Sequence, residues 1–178
     1  EDAAHDFGLA IKEDPSFALA RYKLAIAAWW GGGDIDRVQI MEAGLPTIER
    51  LPERWQKVYR AYIHVEKGEA EQAWALLNEV LESSDALPDA YELRGEVRFH
   101  YTRYRDYQAM RSDFERALEL DPSFKLVFYH LMDGYAYLDD LEAAERLMAR
   151  YRDEDPDDRV IVFGEARIAA ARRDFEEA

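Results

Sequence analysis

The 178-residue chain is strongly acidic, because 38 Asp and Glu residues outnumber 23 Lys and Arg residues and give a formal net charge of −15. This charge repels nucleic-acid phosphates and anionic membranes, and it attracts cationic partners. The chain has no cysteine, which excludes disulfides and thiolate chemistry, and no apolar run approaches the roughly 20 residues needed to cross a bilayer. Hydrophobic residues make up 48% of the chain, enough for a substantial core in one or two domains.

One spacing of residues occurs three times, within residues 3–15, 110–122 and 144–156. Each copy has a small or apolar residue, another apolar residue four positions later, a third after three more, and a proline after a further five. The first three positions share one stripe of a helix, and the proline cannot continue that helix. The spacing therefore predicts a series of similar helical units, and the 34 residues between Pro122 and Pro156 give their period.

The partner helices of these units carry packing residues of their own, such as Tyr22, Gly95 and Leu131. With this pattern and period the chain resembles the tetratricopeptide-repeat family over nearly all of its length, most specifically from Lys125 to Asp158. The resemblance implies an all-α fold, an α-solenoid in which antiparallel helix pairs stack into a right-handed superhelix.

The repeats are predicted to form one continuous array. Residues 1–14 are interpreted as the second helix of a partial repeat, and residues 159–178 as another partial repeat. Four helix pairs lie between them, at residues 18–51, 54–86, 88–122 and 125–158. Because the array starts and stops within a repeat, we expect the chain to be a piece of a longer protein.

Two of the predicted pairs depart from the repeat pattern. Gly44 and Pro46 interrupt the second helix of the first pair, and a proline inside a helix removes a backbone hydrogen bond. A kink or break is therefore expected near Leu45. The third pair has about three extra residues around 101–107, judged against the usual repeat length.

The resemblance also implies a concave groove lined by the first helix of each pair, where a partner peptide is held. Helix phase places mainly aromatic residues at one end of this groove and acidic and aromatic residues toward its middle. About half of them are expected to pack between repeats instead, because core aromatics share the same helical spacing. The predicted groove residues are Tyr22, Trp29, Trp30, Trp55, Tyr59, Tyr62, Glu66, Glu92, Glu96, Phe99, His100, Tyr129, Asp133 and Tyr137.

The charge of the predicted groove favours some partners over others. Family members that bind chaperones hold a terminal carboxylate with lysine, asparagine and arginine side chains. The same face of this chain carries Glu92, Glu96 and Asp133, which repel a carboxylate. The partner is therefore expected to be a protein or peptide that is basic or hydrophobic rather than acidic.

The sequence predicts no catalytic, cofactor or metal site. Its four histidines, at 5, 64, 100 and 130, do not follow a metal-binding spacing such as His-Glu-x-x-His. His100 and His130 fall near equivalent places on successive first helices, so they are expected to approach each other. We favour the interpretation that these histidines pack against neighbours or face solvent over zinc binding, because the other ligands of a usual zinc site are missing.

A stretch from Arg98 to Tyr107 interleaves arginine with aromatic residues, the pattern of a platform for single-stranded nucleic acid. The alternative is an expanded turn whose aromatics pack and whose arginines pair with nearby acids. The net charge of the chain favours this alternative, and nucleic acid is not predicted as a partner.

A narrower resemblance concerns the wider context of the chain. Residues 11–25, 51–54 and 68–74 are similar to tetratricopeptide regions attached to bacterial serine/threonine kinases and adenylate cyclases. The resemblance implies a signalling or regulatory protein in which the catalytic domain lies outside this segment.

Two functions follow from the sequence. The first is a non-enzymatic module that binds a peptide or protein in its groove. The alternative is a structural or regulatory segment that positions a separate catalytic domain or mediates self-assembly. End-to-end association is also expected, because Val162, Ile168 and Ala169 should lack a cover at one end of the array.

Overall fold

Helices follow one another throughout the computed structural model, which describes residues 2–31, 35–83, 86–154 and 159–172. These residues contain no β-strand, and the predicted all-α fold class is confirmed. No helix among them is both long and apolar enough to span a membrane. The α-helices are α1 (Asp2–Glu13), α2 (Ala18–Gly31), α3 (Arg37–Glu42), α4 (Glu53–Glu66), α5 (Ala70–Ser83), α6 (Pro88–His100), α7 (Tyr107–Leu120), α8 (Phe128–Tyr137), α9 (Leu141–Glu154) and α10 (Arg159–Arg172).

The helices group into two compact units, one within residues 1–84 and the other within residues 85–178. In the first unit α1 packs on α2, α2 on α3, and α4 on α5. Small residues on the packed stripes allow these close approaches, since Ala25, Ala61 and Ala73 are completely buried. Larger apolar residues fill the space around them, namely Tyr22, Met41, Val58, Tyr59, Leu77 and Val80.

The second helix of the first pair breaks just before the position of its proline. The α-helix ends at Glu42, and a 3₁₀ helix runs from Leu45 to Arg50. The Tyr59 hydroxyl of α4 donates a hydrogen bond to the carbonyl oxygen of Met41 at 2.8 Å, so a helix-end carbonyl is satisfied from outside. Gly44 is required beside this bond because a β-carbon there would overlap the Tyr59 hydroxyl. Burial raises the pKa of Tyr59 to about 12.

In the second unit α6 packs on α7, α7 on α8, α8 on α9, and α10 against both α8 and α9. The repeated spacing supplies its core, because the helix stripe positions of α7 and α9 all face inward. One continuous hydrophobic cluster results. Its buried members include Met110, Phe114, Ala117, Val127, Phe128, Leu131, Met132, Ala144, Met148, Tyr151, Val160 and Ile161.

A 3₁₀ turn, Thr102–Tyr104, occupies the expanded loop between α6 and α7. The Asp106 side chain then caps α7 by accepting a hydrogen bond from the Ala109 N–H at 3.0 Å. Arg98 donates from Nε to Asp113 of α7 at 2.9 Å, and the ring of Tyr107 stacks on Tyr137 with centroids 4.6 Å apart. Both ends of the Arg98–Tyr107 stretch therefore make packing contacts within the unit.

The burial of residues at the end of the second unit differs from what the sequence predicts. Ile168 and Ala169 are buried, 9% and 5% exposed, because α10 packs them against its neighbours. The expectation that they lack a cover is wrong, whereas Val162 is 69% exposed. Residues 173–178 lie outside the described part of the chain, and end-to-end association stays a prediction.

Close contact between α6 and α7 depends on Gly95, where a β-carbon would overlap the ring of Phe114. We expect Gly95→Ala to destabilise the second unit by about 1–2 kcal/mol, because overpacking outweighs the gain in helix propensity. The matched control is Gly8→Ala in α1, where a β-carbon would meet no neighbouring atom and should stabilise by about 0.5–1 kcal/mol. Urea unfolding checks both, and equal effects of the two variants would contradict the packing argument.

Candidate functional site

Two helices of the second unit, α6 and α8, present a joined set of polar and aromatic side chains. Positions i, i+3 and i+4 on α6 share one side of that helix, as do positions i, i+3 and i+7 on α8. Contacts between the two helices connect these side chains into one surface, which we call the α6–α8 face. Its residues are Glu96, Phe99 and His100 from α6, and His130, Asp133 and Tyr137 from α8.

The aromatic part of the α6–α8 face is stacked and partly open to solvent. Phe99 stacks on the imidazole of His130 with ring centroids 4.2 Å apart, and it lies 6.4 Å from the ring of Tyr137. Tyr137 stacks in turn on Tyr107 at 4.6 Å and 22°, yet remains 60% exposed. The face therefore offers a large apolar ring that is held in place before any partner arrives.

The carboxylate of Glu96 lies between two imidazoles. Its Oε1 is 2.5 Å from Nδ1 of His130, and its Oε2 is 3.2 Å from Nε2 of His100. Burial opposes ionisation of Glu96, but the hydrogen bonds with both histidines outweigh it, and the pKa of Glu96 is lowered. The same contact raises the pKa of His100, whose side chain is 46% exposed.

Two other acidic residues of the predicted groove are shielded from solvent. Asp133 is 9% exposed and forms an ion pair with Arg167 of α10, with Oδ1 and Nη2 2.7 Å apart. Burial raises the pKa of Asp133, and the Arg167 guanidinium opposes that effect. Glu92 is also buried. These carboxylates are consequently not bare charges at the surface of the protein.

Among the predicted groove aromatics of the first unit whose side chains the structure describes, most belong to its core. Tyr22, Tyr59 and Tyr62 are buried. The ring centroid of Tyr22 lies 6.1 Å from that of Tyr59 and 5.5 Å from that of Tyr62. Trp55 is half-buried and meets Tyr22 edge-on at 5.6 Å, with Nζ of Lys23 5.6 Å from its ring. These contacts connect α2 to α4, and Trp55 stays partly open to solvent.

Four further predicted groove positions either make other contacts or have side chains outside the described part of the structure. Glu66 accepts hydrogen bonds from Nε and Nη2 of Arg37, at 3.1 and 2.8 Å, which ties α4 to α3. The side chains of Trp29 and Trp30 lie outside the described part of the structure. In the second unit Tyr129 is half-buried and packs edge-on against Phe163 of α10 at 4.6 Å.

Comparison with solved structures identifies the fold. A thermophilic tetratricopeptide-repeat protein from Thermus thermophilus is 21% identical, with a TM-score of 0.62 over 96% of this chain and 89% of that one. The fold of this chain is the tetratricopeptide-repeat fold. YrrB, described as a tetratricopeptide-repeat protein with an unusual peptide-binding site, is 18% identical, with a TM-score of 0.54 over 92% of this chain and 81% of that one. A tetratricopeptide-repeat protein from Parabacteroides merdae is 17% identical, with a TM-score of 0.56 over 96% and 66%.

No protein-family model and no curated protein matches the sequence. The likeness to solved structures therefore establishes the tetratricopeptide-repeat fold, and the resemblance deduced from the repeat spacing is confirmed at that level.

The tetratricopeptide-repeat period explains a contact that the sequence prediction missed. Glu96 and His130 are 34 residues apart, so they occupy equivalent positions of successive repeats and meet when the repeats stack. The predicted approach of His100 and His130 is confirmed, with ring centroids 4.9 Å apart, but the predicted groove omitted His130 and Tyr107. Comparing positions one full period apart identifies the Glu96–His130 contact directly.

A cleft between α9 and α10 is a second candidate site in this unit. Met148 and Ile168 form part of its lining. Arg152 pairs with Glu165 at 2.5 Å across this cleft, and a further ion pair between α9 and α10 joins Arg172 to Glu145. Since its charged side chains already pair with one another, the cleft is a weaker candidate than the α6–α8 face.

Proposed function

We propose that this chain is a non-enzymatic protein-interaction module that binds a peptide segment on the α6–α8 face. The fold supports an interaction role, because tetratricopeptide-repeat solenoids present surfaces to other molecules, and one neighbour in fold is described as having a peptide-binding site. The observation that carries the proposal is the exposed ring of Tyr137, stacked on Tyr107 beside Phe99.

An exposed tyrosine held in this way suits a binding hot spot. Tyrosine buries a large area on association, and such residues dominate the binding energy of many interfaces. Because Tyr107 already restricts the ring of Tyr137, less side-chain entropy is lost when a partner covers it. The proposed contact is therefore an aliphatic or aromatic side chain of the peptide laid on the Tyr137 ring.

A preference for basic over acidic peptides is part of the proposal. It is supported by the net charge of −15, which creates a field that attracts cations over a distance set by the salt concentration. The preference rests on the charge of the whole chain, because Glu92 and Asp133 are too buried to contact a peptide. We expect the affinity of a lysine-containing peptide to fall as salt is raised, and that of a neutral aliphatic peptide to change little.

The test begins with selection of binders from a displayed peptide library, followed by calorimetric measurement of the tightest neutral and basic peptides. We expect Tyr137→Ala to weaken binding by at least about 10-fold, since loss of a hot-spot aromatic removes more than about 1.4 kcal/mol. Tyr137 is largely exposed, so the variant should keep the circular dichroism spectrum of the original chain.

Phe17→Ala is the matched control, because Phe17 is also an exposed aromatic residue, at 45%, but lies in the first unit. It should leave the affinity unchanged. Equal affinity of the Tyr137→Ala variant and the original chain would contradict the proposed face. Failure to select any peptide would favour the alternative role as a segment that positions another domain.

A further inference from the structure

Three potential metal ligands converge where α6 meets α8. One ligand atom from each of Glu96, His100 and His130 lies within 4.8 Å of the other two. We propose that Glu96, His100 and His130 form a zinc-binding site that joins two successive repeats of the second unit.

The donor set suits zinc. Two imidazole nitrogens and one carboxylate oxygen are ligands that Zn²⁺ takes in a four-coordinate site, with a water molecule in the remaining position. Imidazole donors also disfavour Mg²⁺ and Ca²⁺, which prefer oxygen ligands. The arrangement on the helices is equally suitable. Glu96 and His100 are four residues apart on one face of α6, and His130 reaches them from α8.

The distances require little movement to admit the ion. Zn²⁺ bound tetrahedrally at about 2.0–2.1 Å from each ligand separates the ligand atoms by roughly 3.3 Å. Oε2 of Glu96 and Nε2 of His100 are already 3.2 Å apart. Oε1 of Glu96 and Nδ1 of His130 are 2.5 Å apart and must separate by less than about 1 Å. These two contacts use different oxygens of Glu96. One carboxylate oxygen and the two imidazole nitrogens lie within 4.8 Å of one another, so they must also approach by up to about 1.5 Å, a shift that side-chain rotations can supply.

The surroundings orient the ligands and leave a path for the ion. Phe99 stacks on His130 at 4.2 Å and meets His100 edge-on at 5.0 Å, which restricts both imidazole rings. The side chains of Glu96 and His130 are 12% and 20% exposed, while that of His100 is 46% exposed. The ion can therefore enter past His100, where solvent can supply the fourth ligand.

The nearest alternative is a metal-free hydrogen-bonded cluster, in which the imidazoles donate to the carboxylate. The first unit contains a matched pair of this kind, since Nδ1 of His64 lies 2.5 Å from Oε2 of Glu69. Within the part of the chain that the structure describes, Glu96, His100 and His130 are the group with three ligands in reach of one ion. The His64–Glu69 pair therefore serves as an internal control.

The experiment titrates zinc chloride into chelator-treated protein without a polyhistidine tag, in buffer at about pH 8 because zinc binding releases protons and is favoured at higher pH. Calorimetry should show one zinc ion bound per chain. His100→Ala should weaken binding by at least about 10-fold, because it removes a direct ligand, and even outer partners of zinc ligands change affinity by about 10- to 100-fold. His64→Ala should bind zinc as the original chain does.

Cobalt provides a second readout, because visible absorption reports four-coordinate binding, and His100→Ala should abolish that signal. Absence of zinc uptake by the original chain would overturn the proposal and favour the metal-free hydrogen-bonded cluster. Unchanged affinity in His100→Ala, with an intact circular dichroism spectrum, would also overturn it. Zinc uptake is measured without peptide, so failure of this proposal and failure of the proposed peptide binding are separate results.

Discussion

Replacing Ala144 by glutamate is expected to unfold the second unit at temperatures where the original chain is stable. Ala144 of α9 is 2% exposed and belongs to the same buried cluster as Leu131 and Tyr135 of α8. A glutamate there is too large for the space, and overpacking alone costs about 1–3 kcal/mol. The buried carboxylate adds a desolvation penalty, so the total should exceed about 4 kcal/mol, a large share of the stability of a small domain.

Ala149→Glu is the control, since Ala149 lies on the same helix but is exposed. Helix propensity changes equally in the two variants, so only the buried position should be sensitive. Circular dichroism melts measure the difference, and near-equal melting temperatures would mean that the packed stripe of α9 has been assigned to the wrong side. Nearest-neighbour coupling in a repeat array predicts that loss of α9 also weakens α8 and α10, which pack on it.

The fold could be predicted because its determinants recur locally along the chain. The spaced positions Phe114, Ala117, Ala144, Met148 and Tyr151 are all buried, at 2% exposure or less. Each position acts through its own helix stripe and the helix next to it, so a pattern within one repeat suffices. The break before Pro46 could be expected for the same reason, because proline affects the backbone directly beside it.

The candidate site could be predicted only in part, because burial depends on which helix covers a side chain. Tyr59 and Tyr137 both lie on first helices and were both predicted to line the groove, yet Tyr59 is completely buried and Tyr137 is 60% exposed. The break after α3 lets the Tyr59 hydroxyl reach the Met41 carbonyl, and no periodic pattern contains that irregular turn. Helix phase alone therefore cannot separate core tyrosines from surface tyrosines.

Charge pairing between helices was the least predictable feature. The sequence suggests acidic residues on the groove side, but the structure pairs Glu66 with Arg37 and Asp133 with Arg167. From the sequence alone, replacing Glu92 or Glu96 by lysine would be the natural charge reversal. The structure shows that this change would place an ammonium group in a largely buried position. Such a variant tests stability, and exposed Tyr137 is the better position for testing partner binding.

Replacing Asp113 by alanine is expected to destabilise the second unit by about 3 kcal/mol, near the lower end of the range for breaking buried ion pairs. The Asp113 side chain is 5% exposed and accepts hydrogen bonds from two arginines of α6. Arg94 donates from Nη2 to Oδ1 at 2.5 Å and from Nε to Oδ2 at 3.0 Å, and Arg98 donates from Nε to Oδ2 at 2.9 Å. Removing the carboxylate takes away the α7 acceptor that the two neighbouring guanidinium groups of α6 share.

The loss should not reach the upper end of that range, because the side chains of Arg94 and Arg98 are 19% and 17% exposed and can turn toward water. Glu119→Ala on the same helix is the control. Glu119 pairs with Arg116 at the surface, and an exposed pair of this kind contributes at most about 1 kcal/mol. Urea unfolding should therefore separate the two variants by about 2 kcal/mol.

A compensated variant distinguishes loss of the ion pair from loss of side-chain volume. Changing Asp113 to leucine together with Arg94 and Arg98 to methionine removes all three charges while keeping apolar bulk between α6 and α7. Replacing a buried ionic cluster by packed hydrophobic residues is often neutral or stabilising, so the triple variant should recover most of the stability that Asp113→Ala loses. A triple variant no more stable than Asp113→Ala would show that the charges themselves are needed for α6 to pack on α7.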